Sequence, residues 1–340
     1  MRAIVWYGGS DLRIEDIPKP KLRNERHVVL RVKFCGICGS ELQAYKGCST
    51  RRVPPLVMGH EFSGEVVETG SDVKEIEIGD RVAVNPIISC GRCLACLRGR
   101  QNLCLDMKLI GMHMPGAFAE YVSVPAENCV KLPSEVDFEE GALAEPLANA
   151  LHAVNRARPS IGDSVAILGP GPIGLSIMLL VQTIGVESVT VIGRSEDRLK
   201  IAEKFGANEV ISIKNEKELM RIGEEVFDMV FEAAGSWQAV KTAIKFVKKG
   251  GRIIIVGLSH LKPMEDIGLM SITTKELDVL GSYGYTAFEF QKAVRLLSRL
   301  PMKEMITHIF PLSRAKDAFE LLSQRKEPVL KVLLELDNGL

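Results

Sequence analysis

The sequence predicts an α/β protein in which a mainly antiparallel β domain is joined to a second domain built on a doubly wound parallel sheet. The chain has 340 residues, which is long for one hydrophobic core, because single cores stop growing at about 250 to 300 residues. Short β-rich runs alternate with Gly and Pro from about residue 28 to 130. From Ser164 onward, apolar strands alternate instead with glycine turns and amphipathic helices, which predicts a parallel sheet.

The individual elements follow from the same patterns. In the first domain, the runs 28–32, 64–67 and 80–84 have the composition of strands. In the second, VAILG, VTVIG, DMVFEAAG, GRIIIVG and LDVLGSYG predict buried strands, and 196–205 predicts a helix that ends at Gly206. After about Tyr285 the alternation stops, and helical stretches around 288–299 and 313–323 precede the strand-like VLKVLLEL. We therefore expect one domain from 1–148 and 286–340, and another from 149–285.

Composition and charge narrow the class of protein. The chain is 46% hydrophobic and 25% charged, and its 43 basic residues balance 43 acidic ones, which gives no electrostatic reason to expect nucleic acid or an anionic membrane. The N-terminal residues lack the features of a secretory signal, so we expect a cytoplasmic protein. The uncharged stretch 164–186 is long enough to cross a bilayer, but its prolines and glycines favour a buried strand followed by a buried helix.

Four cysteines lie within fifteen residues in the pattern C-x2-C-x2-C-x7-C: Cys90, Cys93, Cys96 and Cys104. One short loop can fold such thiolates around one tetrahedral zinc ion. Because the protein fills all four positions, this zinc is expected to be structural. The alternatives are unligated cysteines, an iron-sulfur cluster and a zinc ribbon that binds nucleic acid. The neutral net charge and the large sheet domain argue against the ribbon.

A second set of metal-binding side chains precedes this cluster. Cys38 offers a thiolate, His60 an imidazole and Glu61 a carboxylate, and this mixed set is typical of catalytic zinc. Three protein ligands leave a position open, where the metal can act as a Lewis acid on a substrate oxygen.

A glycine turn follows the first strand of the parallel sheet. It has the pattern G-x-G-x-x-G between an apolar strand and an apolar helix, which is typical of dinucleotide-binding sites. The helix N-terminus there would face the pyrophosphate. The candidate residues for cofactor binding at this turn are Gly169, Gly171, Pro172, Ile173 and Gly174.

Together these motifs resemble those of the zinc-containing medium-chain alcohol dehydrogenases. The run Gly59-His60-Glu61-x2-Gly64-x5-Gly70-x2-Val73 is similar to that family's signature, and the likeness extends over essentially the whole chain, including GALAEPLANALHAV and the glycine turn. The resemblance implies a GroES-like catalytic domain that binds zinc and a Rossmann cofactor domain. Within the family, the sequence looks most similar to the sorbitol, polyol, sugar and threonine dehydrogenases.

The resemblance also implies roles for individual residues. Cys38, His60 and Glu61 match the ligands of the catalytic zinc, and Glu145 matches a carboxylate that either binds the metal or exchanges with water. Ser40 matches the hydroxyl that passes the substrate proton outward. The family often has Asp and His where this chain has Glu41 and Gln43, so a histidine relay is missing at that point.

The end of the second strand of the parallel sheet bears on the choice of cofactor. Relatives that prefer NAD place an acid at the position of Gly193, where it binds the ribose 2′-hydroxyl and repels a 2′-phosphate. Here Arg194 and Arg198 could bind a phosphate and Ser195 adds a hydroxyl, so we favour NADP over NAD. Glu196 and Asp197 keep open the alternative that Arg194 is an ordinary surface charge.

The expected function is hydride transfer between NAD(P) and the secondary alcohol of a polyol, sugar or sugar derivative, with Tyr45, Phe118 and Glu145 as candidate substrate contacts. Sorbitol dehydrogenases tend to carry an Arg in the segment matching 282–285, and its absence here puts sorbitol in doubt. The alternatives are an L-threonine-type amino-alcohol dehydrogenase and a catalytically silent dinucleotide-binding regulator. The resemblance implies a homo-oligomer, a tetramer ahead of a dimer, with a small-molecule substrate and neither nucleic acid nor membrane as a partner.

Overall fold

The computed structural model describes residues 1–49, 51–257, 268–324 and 327–336. The chain forms two compact units, Met1–Ala148 with Tyr285–Leu340, and Asn149–Gly284. The second boundary therefore lies one residue before the expected position, and Tyr285 belongs to the first unit.

The first unit consists mainly of short strands and short helices. Its strands before the second unit are β1 (Arg2–Gly8), β2 (Asp11–Asp16), β3 (His27–Gly36), β4 (Leu56–Val57), β5 (Glu61–Thr69), β6 (Arg81–Val84), β7 (Ile87–Ile88), β8 (Lys108–Leu109), β9 (Tyr121–Pro125) and β10 (Cys129–Lys131). Its helices are α1 (Gly39–Tyr45), α2 (Leu94–Leu97), α3 (Phe138–Gly141) and α4 (Ala144–Ala157), and the boundary with the second unit falls inside α4. Single 3-10 turns occur at Gln101–Leu103 and Ala126–Asn128.

The second unit has the expected alternation of strands and helices. Its elements are β11 (Ser164–Leu168), α5 (Pro172–Ile184), β12 (Ser188–Gly193), α6 (Glu196–Lys204), β13 (Glu209–Ser212), α7 (Glu216–Arg221), β14 (Phe227–Glu232), α8 (Trp237–Phe246), β15 (Val247–Ile255), α9 (Leu269–Thr274) and β16 (Asp278–Gly281). The strands form a parallel sheet in the order β13-β12-β11-β14-β15-β16. The strand order reverses between β11 and β14, and ligands of doubly wound folds bind at such a switch point.

The end of the chain returns to the first unit as α10 (Ala287–Leu296), β17 (Ile306–Pro311), α11 (Ala315–Gln324) and β18 (Lys331–Glu335), with 3-10 turns at Leu297–Arg299, Met302–Met305 and Leu312–Arg314. The principal sheet of this unit has the order β10-β6-β5-β3-β18-β17, and β9 also pairs with β3. Its pairs are antiparallel except β17 with β18, which are parallel. The C-terminal strand β18 therefore lies beside β3, although some 300 residues separate them in sequence.

The fold bears on one expectation for the parallel sheet and contains one strand that the sequence did not predict. The uncharged stretch 164–186 forms β11 and α5, and among the described residues no helix has both the length and the apolar character needed to cross a membrane. The strand β13 was not predicted. It is four residues long and partly exposed at the edge of the sheet, so the burial that marks the other strands is weak there.

Candidate active site and metal centres

The four-cysteine cluster lies on a lobe between β7 and β8, which pair as antiparallel strands at its base. Gly91 and Gly99 have φ values of +69° and +71°, a conformation that favours glycine, and they let the chain turn sharply around the cysteines. The sulfur atoms of Cys90, Cys93, Cys96 and Cys104 all lie within 4.8 Å of one another. The local sequence thus brings the four predicted ligands together.

The spacing of these sulfur atoms fits one zinc ion. The Sγ atoms of Cys93 and Cys96 are 3.5 Å apart, and those of Cys90 and Cys96 are 4.0 Å apart. Zn–S bonds of about 2.3 Å in a tetrahedron would place sulfurs about 3.8 Å apart. Backbone N–H groups of Cys96 and Leu105 lower the pKa of Cys93 to about 6, which favours the thiolate that a metal requires.

The second donor group combines the end of β3 with the start of β5. One ligand atom each of Cys38, His60 and Glu61 lies within 4.8 Å of the other two. Cys38 is the N-cap residue of α1, and Glu61 is the first residue of β5. A soft thiolate, an imidazole and a carboxylate at this distance fit a zinc ion with an open coordination position.

A buried carboxylate holds this group together. Glu41, in the first turn of α1, is fully buried and accepts hydrogen bonds from the backbone N–H groups of Cys38 (2.9 Å) and Gly59 (2.8 Å). Its Oε1 atom also lies 2.9 Å from Nδ1 of His60. Burial alone would raise the pKa of Glu41, but His60 and the other donors lower it below its usual value. Glu41 therefore binds the loops that carry both Cys38 and His60.

This contact determines which nitrogen of His60 can bind a metal. An ionised Glu41 can only accept, so Nδ1 of His60 must carry the shared proton, and Nε2 remains for a ligand. Burial by itself lowers the pKa of His60, but the charges of Glu41 and Cys38 raise it well above its usual value. Bound zinc would replace that second proton with a metal ion and keep the same negative neighbours.

Ser40 lies beside the same group and is held by a buried cation. The guanidinium of Arg52 donates from Nη2 to the Ser40 hydroxyl (3.1 Å), from Nη1 to the Ser40 carbonyl (3.0 Å) and from Nε to the carbonyl of Gly111 (3.3 Å). Arg52 is 4% exposed, and its Nη2 is 4.0 Å from Glu41. Because Arg52 only donates, the hydroxyl hydrogen of Ser40 is directed toward another acceptor.

The carboxylate of Glu61 has a buried partner on the C-terminal strand. Lys331, in β18, donates from Nζ to Glu61 Oε2, and each side chain is 3% exposed. Burial alone lowers the pKa of Lys331, but the charges of Glu61 and Cys38 raise it. Gly36 makes this approach possible, because a Cβ atom there would lie 2.4 Å from Glu61 Oε2 and 2.8 Å from Lys331 Cε.

Glu145 lies outside the close donor group. It is in the first turn of α4, is 8% exposed, and its Oε1 accepts a hydrogen bond of 3.3 Å from Tyr285. Burial and then the charges of Glu145, Glu61 and Cys38 raise the pKa of Tyr285 well above its usual value. The charge of Glu145 therefore acts on the same tyrosine as the charges of Glu61 and Cys38. Tyr285 holds the carboxylate of Glu145 in place.

The two aromatic candidates for substrate contact pack against the same phenylalanine. Phe118 is fully buried and packs edge to face on Phe319 at 6.0 Å, and Tyr45 is 7% exposed and packs on the same ring at 5.1 Å. Both side chains belong to the hydrophobic core of the first unit. Their contact with substrate stays a prediction. Phe118 also shapes the chain before His60, where Gly59 has a φ of +97° and no room for a Cβ atom.

The glycine turn of the second unit joins β11 to α5. Gly169 has a φ of +108°, and a Cβ atom on Gly174 would lie 2.1 Å from the carbonyl oxygen of Gly169, so the fold itself requires both glycines. For Gly171, the nearest atom to such a Cβ is Arg198 Nη1, at 4.0 Å. Space that the protein leaves open at the N-cap of α5, where Pro172 begins the helix, fits the approach of a pyrophosphate. Ile173 and Gly174 complete the first turn.

The residues after β12 lead into the N-terminus of α6. Gly193 ends the strand, Arg194 is exposed, and Ser195 is the N-cap of α6 without a side-chain capping bond. Of the neighbouring acids, Glu196 accepts a hydrogen bond from the hydroxyl of Ser212 (2.7 Å). That carboxylate is therefore engaged on β13, and Arg198 lies beside the glycine turn.

Sequence reasoning missed four residues around the metal group: Glu41, Arg52, Lys331 and Tyr285. A signal existed for two of them. Glu41 is three residues after Cys38, the spacing of a capping box, and Lys331 interrupts an apolar strand with a charge. The partners of Arg52 lie 11 to 59 positions away and that of Tyr285 lies 140 positions away, and no local pattern reveals them.

Comparisons with known proteins agree with this geometry. Residues 24–134 match the model of the alcohol dehydrogenase GroES-like domain, and residues 172–299 match that of zinc-binding dehydrogenases. The chain is 32% identical to the sorbitol dehydrogenase of Bacillus subtilis over 344 residues, which covers 98% of this chain and 97% of that protein. It is 34% identical over 345 residues to the L-threonine 3-dehydrogenase of Bacillus licheniformis, with 98% of each chain covered.

A similar fold has been solved with a cofactor. A crystal structure described as a zinc-binding dehydrogenase from Sinorhizobium meliloti, bound to NADP, superposes with a TM-score of 0.90. The two chains are 33% identical, and 98% of each is covered.

The role of Glu41 predicts a specific loss of metal. We expect Glu41→Gln to weaken metal binding at Cys38 and His60 about 10- to 100-fold, because a neutral amide holds the imidazole less well. The metal content measured by elemental analysis after dialysis should then fall from two ions per chain toward one, since the cysteine lobe keeps its metal ion. Glu41→Asp, which preserves the charge, should retain more metal than Glu41→Gln. Equal retention by all three proteins would contradict this role.

The buried pair of Glu61 and Lys331 predicts strong coupling in stability. Lys331→Met should reduce the free energy of unfolding by about 3–5 kcal/mol, because it leaves a buried carboxylate without its cation. Adding Glu61→Gln to Lys331→Met should recover much of that loss. Urea unfolding measures both effects when the site of Cys38, His60 and Glu61 is kept free of metal. Additive losses in the double variant would show that the pair is not coupled.

Proposed function

Because the chain belongs to the zinc-dependent alcohol dehydrogenase family, in its branch of polyol and threonine dehydrogenases, we propose that it oxidises a secondary alcohol with a nicotinamide cofactor. The substrate is a polyol, sugar or sugar derivative, and the hydride passes between its carbinol carbon and NAD(P). The observation that carries this proposal is the donor group of Cys38, His60 and Glu61, in which Glu41 fixes the protonated nitrogen of His60.

In this proposal Cys38, His60 and Glu61 hold the catalytic zinc, with Glu145 as a fourth carboxylate that binds or gives way to water. A zinc ion there supplies Lewis-acid polarisation of the substrate hydroxyl. Lys331 competes with the zinc ion for Glu61, since its ammonium donates to the same carboxylate. Cys90, Cys93, Cys96 and Cys104 hold a second, structural zinc that stabilises the lobe between β7 and β8.

Ser40 is proposed to carry the substrate proton away from the reacting oxygen. Its hydroxyl already accepts from Arg52, which fixes the oxygen and leaves one lone pair and the hydrogen for the relay. Arg52 cannot take the proton, so the proton must continue to water or to the cofactor ribose. The positive charge of Arg52 also favours an anionic substrate oxygen nearby.

The cofactor is proposed to bind at the carboxyl edge of the parallel sheet, with its pyrophosphate at Gly169, Gly171, Pro172, Ile173 and Gly174. The open space at Gly171 and the N-terminus of α5 support this position. We propose NADP as the preferred form, with the 2′-phosphate bound by Arg194, Ser195 and Arg198 next to Gly193. The guanidinium of Arg198, beside the glycine turn, supports that assignment.

The substrate class is supported by the composition of the segment that bears on sorbitol. The segment 282–285 offers Ser282, Tyr283 and Tyr285 and no guanidinium, which weakens the case for sorbitol and leaves other polyols, sugars and their derivatives. L-Threonine stays the alternative substrate, because a threonine dehydrogenase is as similar to this chain as the sorbitol dehydrogenase is.

We further propose a homo-oligomer, a tetramer ahead of a dimer, located in the cytoplasm. In the described part of the chain, β16 ends the parallel sheet, and Val279 within it is 39% exposed. The nearby helix α9 exposes Leu269 and Met270 by 66% and 80%. An open strand edge next to apolar side chains suits pairing with a second copy of the chain. None of the eight cysteines, all of which lie among the described residues, forms a disulfide, which is consistent with a reducing compartment.

The proposal predicts turnover with a defined cofactor preference. Zinc-loaded protein should reduce NADP faster than NAD when offered a panel of polyols, sugars, sugar acids and L-threonine, as measured by absorbance of the reduced nicotinamide. Activity with L-threonine and none with polyols would select the alternative dehydrogenase.

The matched control for this assay is Cys38→Ser, which removes one thiolate from the donor group. It should abolish turnover while the dissociation constant for the cofactor stays close to that of the wild type, because the glycine turn is untouched. Cofactor binding without turnover by the wild-type protein across the panel would favour the silent regulator and contradict the proposed activity.

The edge strand predicts how assembly can be broken. Val279→Lys should shift the protein from a tetramer to smaller species in light scattering, because a lysine on an edge strand opposes pairing. Ile213→Lys, just beyond β13 at the opposite end of the sheet and similarly exposed at 37%, should leave the mass unchanged. A monomer in the wild type, or an unchanged mass for Val279→Lys, would contradict this interface.

A further inference from the structure

Gly193 lies against a proline of the glycine turn. A Cβ atom built on Gly193 would be 2.4 Å from Cδ and 2.5 Å from Cγ of Pro170, whereas real Cβ atoms essentially never approach within 3.0 Å of such atoms. Both residues are buried, and the backbone N–H of Gly169 donates to the carbonyl of Ile192 at 2.9 Å, which ties the turn to the end of β12. The two segments are thus in contact through backbone and ring.

Pro170 cannot move aside as a flexible side chain would. Its Cδ atom is bonded to its own backbone nitrogen, so the ring moves only with the chain. That chain is held on one side by Gly169, whose φ is +108°, and on the other by Gly171, the N-cap of α5. Any residue larger than glycine at position 193 would therefore displace the turn that receives the pyrophosphate.

We infer that Pro170 is a specificity-determining residue, because its ring excludes an acidic side chain from position 193 and so admits a cofactor with a 2′-phosphate. The inference rests on the proposed dinucleotide site. An acid at this position would accept hydrogen bonds from the ribose hydroxyls and repel the phosphate. With proline at 170, position 193 offers no such carboxylate, and the cations that follow it in sequence are Arg194 and Arg198.

The contacts of Glu196 and Arg198 are consistent with a phosphate at this position. Glu196, the first acid after the strand, is engaged by the hydroxyl of Ser212 at 2.7 Å. Arg198 points a guanidinium nitrogen to within 4.0 Å of the Cβ position of Gly171. The proline thus removes the residue that would oppose a phosphate, and the arginines supply the attraction.

A set of six proteins tests this inference. Three carry Pro170: the wild type, Gly193→Ala and Gly193→Asp. The other three carry Pro170→Ala, either alone or combined with Gly193→Ala or Gly193→Asp. The full-length proteins are compared by thermal melting midpoint and by calorimetric titration with NADP and with NAD. Both readouts are independent of catalysis.

With Pro170 in place, Gly193→Ala and Gly193→Asp should each lower the melting midpoint by at least about 3 °C, since each adds the same Cβ atom. Each should also weaken the binding of both cofactors. In the Pro170→Ala background, both substitutions should cost much less stability. There, Gly193→Asp should lower the affinity for NADP at least about tenfold and raise that for NAD at least about tenfold. Gly193→Ala, which adds no charge, should leave the affinity for NADP higher than that for NAD.

Two results would overturn the role of Pro170. One is an unchanged melting midpoint for Gly193→Ala in the wild-type background, which would mean that the turn yields to a Cβ atom. The other is a double variant, Pro170→Ala with Gly193→Asp, that folds but still prefers NADP. A wild-type protein that binds NAD more tightly than NADP would instead overturn the proposed cofactor, and with it the choice ascribed to Pro170, whatever the melting midpoints show.

Discussion

The candidate active site depends on one buried carboxylate. Glu41 binds the backbone N–H of Cys38, the backbone N–H of Gly59 and the ring of His60, and so it connects the helix after β3 to the loop before β5. A fully buried acid is stable only when such donors surround it. The same contacts that stabilise Glu41 orient the thiolate and the imidazole, so the fold of the first unit and the chemistry of the site have a common origin.

The sheet of the first unit brings the remaining charges to this point. Its register places Glu61 opposite Gly36, and β18 lies on the other side of β3, so that Lys331 reaches Glu61 across a glycine. The cysteine lobe is built differently. Its ligands are close in sequence, backbone amides orient the sulfurs, and the pairing of β7 with β8 closes it. One centre is therefore assembled by long-range sheet pairing and the other by a local loop.

This difference explains how much of the protein could be predicted from the sequence. The fold class, the cysteine lobe and the glycine turn have short-range patterns, and the structure brings those residues together. The family of the chain was also correctly recognised. Lys331 and Tyr285 act through partners that lie 270 and 140 positions away in the sequence. The exclusion of a side chain at Gly193 by Pro170 depends on contact between a turn and a strand. The substrate contacts of Tyr45 and Phe118 stay a prediction, because sequence proximity to the ligands does not show which way a side chain packs.

The most direct test of the account is an anomalous-scattering map at the zinc absorption edge, collected from crystals of the purified protein. We expect two peaks, one among Cys90, Cys93, Cys96 and Cys104, and one bounded by Cys38, Nε2 of His60 and the carboxylates of Glu61 or Glu145. A zinc-replete crystal with a peak in the cysteine lobe and none beside Cys38 and His60 would contradict the account, because the proposed hydride transfer requires metal at that second site.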